Sequence, residues 1–239
     1  MRGAIFDDQI ARLGNRFRCL APDMPGHAGA AHLPPTLDAC ADVIEAALAV
    51  LDDPAPLVVG WSMGAAALWR YIGRAGTARL GGIVTVDMSP KIVPGPGWPH
   101  GLKGQSAESV AASTRRIDTD WPAMTHGIAA TMFAKPEGVP GMDHDIARAL
   151  ILSQDPTAMR ALWHGMVAMD ARPIVPRIDI PWLVASGALS RVYPASTADW
   201  LAALAPNATR HVFAHSGHSP HLEEPQSFAR VIADFADSL

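Results

Sequence analysis

A serine stands between two glycines in Gly60-Trp61-Ser62-Met63-Gly64, directly after the apolar run Pro56-Leu57-Val58-Val59. Residues that favour a helix follow, so the local pattern predicts a strand, a sharp turn and a helix. Glycines on both sides allow strand and helix to approach closely around a strained serine. Such a turn presents Ser62 Oγ as a nucleophile and leaves the Met63 N–H at a helix start, where it can stabilise an oxyanion. The alternative is a serine that merely caps the helix.

The segments around this turn alternate between strand and helix patterns, which is typical of a parallel sheet covered by helices on both faces. We predict strands at residues 17–21, 57–60, 82–86, 181–185 and 210–213. We predict helices at residues 4–13, 63–75, 195–204 and 226–235, and one capped by Thr36 that runs to about Asp52. The predicted fold class is therefore α/β, with a mostly parallel sheet flanked by helices.

The strand pattern stops after Pro90, and four amphipathic segments follow at residues 106–117, 121–133, 143–152 and 157–169. We interpret residues 93–171 as a helical cap inserted into a core of residues 1–92 and 172–239. A cap at this point covers the carboxyl ends of the strands, where open α/β sheets bind ligands. Most of its apolar residues are expected to pack the cap itself. For contact with an apolar part of the substrate we predict Trp61, Trp98, Met124, Trp163 and Met166.

Bulk composition is that of a globular protein and excludes several functional classes. The chain has 239 residues, of which 49% are hydrophobic and 18% are charged. The net charge of −4 and the lack of a basic run argue against nucleic acid as a partner. The cysteines Cys19 and Cys40 are expected to be small core residues and not a disulfide framework. No membrane span or export signal is predicted, so we expect a cytoplasmic location.

Several segments together resemble the α/β-hydrolase family, specifically its capped, cofactor-free serine esterases such as the pimeloyl-carrier-protein methyl esterase kind. They are residues 20–27 (LAPDMPGH), 60–64 (GWSMG), 86–90 (VDMSP) and 213–225 (FAHSGHSPHLEEP). The resemblance implies an α/β-hydrolase fold, no cofactor, and a small-molecule ester or acyl compound as substrate. It also implies that His218 is the general base, which is what a serine hydroxyl requires before it can attack a carbonyl.

Two further histidines, His215 and His221, give the spacing H-x2-H-x2-H around His218. A metal site is one interpretation of this spacing. Loop histidines without an accompanying carboxylate or thiolate set are weak evidence for it. We therefore predict no metal, and expect His215 and His221 to pack or to line the site.

The acid of the triad departs from the family pattern. Relatives carry Gly-x-x-Asp-x-x-x-Pro after the penultimate strand, whereas residues 187–194 of this chain read GALSRVYP, with Ser190 at the place of the aspartate. We predict that Asp87, at the end of the preceding strand, replaces it, because neighbouring parallel strands lie only about 4.8 Å apart. The alternative is that Asp87 only caps a turn. Asp23 is expected to be a turn residue, and Asp199 to point away from the site.

A second departure concerns the amino terminus. In the family, a strand ending in His-Gly precedes the helix with which this chain opens, and its loop supplies the second oxyanion N–H. We expect about 25 or more residues of sheet to be absent, judged from typical strand and hairpin lengths. This predicts a misplaced start or a truncation, an unpaired sheet edge, and a weakened oxyanion hole.

The leading functional hypothesis is a serine hydrolase that cleaves a carboxylic ester or a related acyl substrate through an acyl-enzyme. One alternative is a non-catalytic ligand-binding protein on a decayed hydrolase fold, favoured by Ser190 and the absent strands. Perhydrolase or haloperoxidase-like activity and lactonase activity are further alternatives. A dehalogenase is disfavoured because its chemistry needs a carboxylate in place of Ser62.

Overall fold

The structure is a computed structural model that describes residues 2–51 and 53–239. Its centre is one parallel four-stranded sheet with the strand order β1-β2-β3-β4. The strands are β1 (Leu57–Trp61), β2 (Gly82–Val86), β3 (Trp182–Gly187) and β4 (Ala208–Phe213). In the register, Val86 lies beside both Trp61 and Ala185. The residues that follow β1, β2 and β3 therefore emerge close together at one edge of the sheet.

Helices cover both faces of this sheet. The core helices are α1 (Asp7–Leu13), α2 (Leu37–Leu51), α3 (Met63–Ala75), α8 (Ala195–Leu204), α9 (Pro220–Glu223) and α10 (Pro225–Asp237). Successive residues of β2 point to opposite sides: Ile83 packs in the core with α2, α3 and α8, while Val84 packs in the core with α10. This two-sided burial explains why β2 and β3 are continuous apolar runs in the sequence.

Four helices lie between β2 and β3: α4 (Ala107–Thr119), α5 (Trp121–Thr131), α6 (His144–Leu152) and α7 (Pro156–Ala168). Each begins at a polar residue whose side chain accepts a backbone N–H of the first turn, namely Ser106, Asp120, Asp143 and Asp155. Much of their apolar surface packs in a cluster of its own that includes Ile117, Trp121, Met132 and Phe133. In the described part of the chain, every helix is too short or too polar to cross a bilayer.

The predicted strand at residues 17–21 is wrong. This segment has no strand pairing in the structure, and Leu20 is 47% exposed. Its apolar residues favour an extended backbone, but a strand also needs a hydrogen-bonded neighbour. Within the described sheet β1 is an edge strand, and its free edge faces this segment across a cavity.

Smaller differences concern the first two helices and the cysteines. The predicted helix at residues 4–13 divides into a 3-10 turn (Gly3–Phe6) and α1. Thr36 accepts the N–H of Ala39 as the predicted cap of α2, whose predicted end at Asp52 lies outside the described residues. Cys40 is buried in α2, whereas Cys19 is half-buried in the unpaired segment.

Candidate active site

Ser62 occupies a sharp turn between β1 and α3, with φ 50° and ψ −121°. A side chain on Gly60 would place its Cβ 2.7 Å from the backbone nitrogen of Ala65, so glycine is required for this close approach. Ser62 stands at the N-cap position of α3, but its side chain makes no capping hydrogen bond. The hydroxyl is therefore not used as a cap. The Met63 N–H belongs to the first turn of α3, whose N–H groups have no acceptor within the helix.

His218 lies in the loop between β4 and α9, where one hydrogen bond holds its ring and another holds its backbone. Nδ1 is 2.7 Å from Oδ2 of Asp87. The indole N–H of Trp61 donates to the backbone oxygen of His218 at 2.7 Å. Because a carboxylate can only accept, Nδ1 carries the proton and Nε2 keeps its lone pair. This is the tautomer that a general base for a serine hydroxyl requires.

Asp87 follows β2 and has a positive φ of 45°. Only three described non-glycine residues have positive φ, and two of them are Ser62 and Asp87. Such strained conformations concentrate at functional sites. The Asp87 side chain is 2% exposed, and it faces His218 as well as the Ser190 hydroxyl. The alternative that Asp87 merely caps its turn does not account for these two contacts.

The other candidate carboxylates lie elsewhere. Asp23 accepts the backbone N–H groups of Gly3 and Gly29, so it holds a turn as expected. Asp199 is exposed on α8 and is paired with Arg210. Asp87 is thus the carboxylate that the fold brings to His218.

Ser62 and His218 both line one cavity of about 1290 Å³. Within the described chain, Ser62 Oγ makes no hydrogen bond to the His218 ring. Catalytic hydrogen bonds are often long in the unliganded state and tighten when the substrate binds. The cavity runs from these two residues beneath the cap helices and along the free edge of β1.

Four of the five predicted substrate contacts line this cavity: Trp61, Met124, Trp163 and Met166. Trp98 is the exception and requires a correction. Its indole N–H donates to the Lys91 oxygen, and its ring packs edge-on against Trp200. Trp98 is therefore a buried packing residue between the start of the inserted region and α8, because these two contacts hold its ring outside the cavity lining.

The three loop histidines do not converge. His215 is exposed, whereas His221 is buried with both ring nitrogens unpartnered; its ring stacks on Phe6 at 4.7 Å and lies tilted against Trp61 at 4.6 Å. Burial, followed by the nearby His218, lowers the pKa of His221 to about 3, so this ring is neutral. Among residues 2–51 and 53–239, no group of three His, Cys, Asp or Glu side chains is arranged to hold a metal ion.

Two glutamates for which the sequence pattern predicted no role hold the His218 loop in place. Glu223 accepts the backbone N–H groups of Gly217 and Ser219, and also that of Ala134 from the inserted region. Burial raises the pKa of this carboxyl group. Glu224 accepts the N–H of His215 and a neighbouring serine hydroxyl. The signal in the sequence was an adjacent acidic pair that follows, after three intervening residues, the segment 216–219 (SGHS), whose backbone N–H groups need acceptors.

Comparison with known proteins gives a consistent result. Residues 2–231 match a family described as the Alpha/beta hydrolase family. The chain is similar to the pimeloyl-[acyl-carrier protein] methyl ester esterase of Chromobacterium violaceum, with 28% identity over 245 residues that cover 100% of this chain and 91% of that protein.

Two solved structures have the same fold. The esterase of Exiguobacterium antarcticum has a TM-score of 0.88 and 20% identity, and the match covers 99% of this chain and 88% of that one. The bromoperoxidase of Bacillus anthracis has a TM-score of 0.86 and 16% identity, with the same coverage of 99% and 88%.

Proposed function

The chain belongs to the α/β-hydrolase family as a serine-type carboxylic ester hydrolase, and we propose that Ser62 is its nucleophile, His218 its general base and Asp87 its acid. The observation that carries this assignment is the 2.7 Å contact between His218 Nδ1 and Asp87 Oδ2. It supplies the negative charge that stabilises an imidazolium, which a serine at position 190 cannot supply.

In the first half of the reaction, Ser62 Oγ attacks the ester carbonyl while its proton passes to Nε2 of His218. The resulting oxyanion is stabilised by the Met63 N–H at the start of α3. The carbon–oxygen bond to the alcohol then breaks, and the alcohol leaves with the proton from His218. The acyl group remains as an ester on Ser62.

In the second half, water attacks this acyl-enzyme while Nε2 of His218 accepts the proton of the water. The second oxyanion occupies the same position beside Met63. Its collapse returns the proton to Ser62 Oγ and releases the carboxylic acid. Asp87 keeps the ring in one orientation throughout and does not itself take up the proton.

The cavity favours an acid component that is largely apolar. The wall of the cavity that the cap helices form includes Met124, Trp163 and Met166. Adaptable methionine side chains suit an alkyl chain of variable shape. The name of the Chromobacterium violaceum relative specifies a methyl ester. We therefore place esters of a small alcohol with an apolar acid first among the substrates to be examined.

The assay compares the unmodified protein with Ser62→Ala on p-nitrophenyl acetate, butyrate and hexanoate. We expect Ser62→Ala to lower kcat by about 10⁴-fold or more, because the nucleophile and the base act as one unit. A fluorophosphonate probe should label the unmodified protein at Ser62, as located by peptide mass spectrometry. Ser153→Ala, at an exposed serine on the surface of the inserted region, is the matched control.

A protein that neither hydrolyses these esters nor reacts with the probe would contradict the proposal. It would leave the non-catalytic binding protein as the better interpretation. Turnover that survives in Ser62→Ala would instead mean that another group performs the reaction.

A further inference from the structure

The side chain of Ser190 contacts the proposed acid on the atom that faces His218. Its hydroxyl lies 2.7 Å from Asp87 Oδ2, and the same oxygen lies 2.7 Å from His218 Nδ1. Ser190 is 4% exposed and Asp87 is 5% exposed, so water does not compete for these contacts. If Ser190 simply took the place of the usual acid, its hydroxyl would contact the imidazole of His218. It contacts Asp87 instead.

The direction of the hydrogen bond follows from counting donors and acceptors. Ser190 Oγ accepts the backbone N–H groups of Val192 at 3.2 Å and Tyr193 at 3.3 Å. A hydroxyl has two lone pairs and one proton. With both lone pairs engaged by N–H groups, the proton points at the Asp87 carboxylate, which can only accept. Ser190 is thus fixed as a donor by the turn that follows it.

The turn that carries Ser190 is itself anchored. Lys103 donates to the backbone oxygen of Ser190 at 2.9 Å. The Tyr193 hydroxyl donates to the sulfur of Met88, the residue after Asp87. The hydroxyl therefore cannot easily move away from Asp87, because the turns that follow β2 and β3 are joined at these contacts.

We propose that Ser190 is a positioning residue that orients the Asp87 carboxylate toward His218 and partly neutralises its charge. This rests on the proposed function, since it concerns the same triad. The hydroxyl gives Oδ2 a second donor beside Nδ1, and this second contact restricts rotation of the carboxylate away from the imidazole. It also withdraws charge from Oδ2, which weakens the attraction of the carboxylate for an imidazolium.

The kinetic test uses Ser190→Ala and Ser190→Thr. We expect Ser190→Ala to lower kcat/KM by about 10-fold or more, the range of one hydrogen bond to a charged group, because the lost orientation of Asp87 outweighs the charge regained on Oδ2. The acid limb of its kcat/KM profile should move to higher pH, because a more basic carboxylate holds the imidazolium more strongly. Ser190→Thr keeps the hydroxyl and should retain the position of the limb. The other titratable groups that face this cluster remain in all variants; they are Lys103, Tyr193, His221 and Glu223.

A second measurement does not depend on turnover. The Nδ1 proton of His218, shared with Asp87, should give a far-downfield signal in the proton NMR spectrum. Ser190→Ala should shift or remove this signal in a protein whose melting curve is that of a folded domain, and Ser190→Thr should preserve it. An unchanged signal, or an unchanged acid limb in Ser190→Ala, would overturn the assignment of Ser190. If the fluorophosphonate probe does not label the unmodified protein, the proposed function is overturned instead. Failure of the Ser190 assignment and failure of the proposed function are therefore distinguishable.

Discussion

Replacing the acid and then restoring it one strand away is the strongest test of the triad. In Asp87→Asn the residue keeps its shape but loses its charge. The amide can present its N–H₂ group to Nδ1, which favours the tautomer that has its proton on Nε2 and removes the base. Because the Asp87 side chain is only 2% exposed, solvent does not reach this position to compensate for the missing charge.

The expected loss is about 10⁴-fold in kcat, which corresponds to about 5 kcal/mol of transition-state stabilisation. The restoring substitution is Ser190→Asp in the Asp87→Asn background. Ser190 Oγ is 2.7 Å from Asp87 Oδ2, so an aspartate at position 190 extends a carboxylate toward the Nδ1 that this oxygen now contacts. We expect the double variant to recover about 10-fold or more of the lost kcat, since the charge again favours the Nδ1–H tautomer.

The assay is steady-state hydrolysis of p-nitrophenyl butyrate, together with thermal melting to confirm that each variant is folded. Asp199→Asn is the matched control, because this aspartate is exposed on α8, is paired with Arg210 and does not line the cavity. Asp87→Asn with activity within about 10-fold of the unmodified protein would refute the assignment of Asp87, because removal of a true triad acid costs much more. A folded double variant with no recovery would refute the argument that the two strand ends are interchangeable positions for the acid.

Two further predictions concern stability and substrate length. The pKa of His221 is lowered from 6.5 to about 3 in the folded protein, so between these values only the unfolded chain takes up the proton, and stability is lost as the pH falls, by about 1.4 kcal/mol per pH unit. His221→Phe should remove this loss in melting experiments between pH 7 and about pH 4, and an unchanged acid slope would contradict it. Met124→Ala should lower kcat/KM for the hexanoate by about 5-fold or more relative to the acetate, because it removes apolar contact from the cavity wall. Met169→Ala, outside the cavity, should leave this ratio unchanged, and an equal change in both variants would show that Met124 does not contact the acyl chain.

The sequence predicted the elements of the fold well wherever a local pattern encodes them. The helix after Ser62 spans Met63–Ala75 and the strand before Asp87 spans Gly82–Val86, both as expected. The reason is that burial periodicity and capping residues act within a few positions of the chain. The same local signals predicted helices at the positions where α4–α7 lie, to within a few residues.

Local patterns failed where a partner from elsewhere in the chain was needed. Residues 17–21 have the composition of a strand but no paired neighbour in the described structure. Trp98 has the residue type of a ligand contact, but its ring packs against Trp200 on α8. In both cases the residue type predicted a tendency, and the surrounding fold determined the outcome.

The sequence predicted the serine turn from its local pattern and an aspartate after β2 as the candidate acid, and its family resemblance implied the histidine after the last strand as the base. The tertiary structure alone decided how they meet. Asp87 lies 131 residues from His218 and 103 residues from Ser190 along the chain, and strand order and register bring both of them onto one carboxylate oxygen. The direction of the Ser190 hydroxyl could not have been read from the sequence, because it depends on which N–H groups occupy its lone pairs in the folded chain.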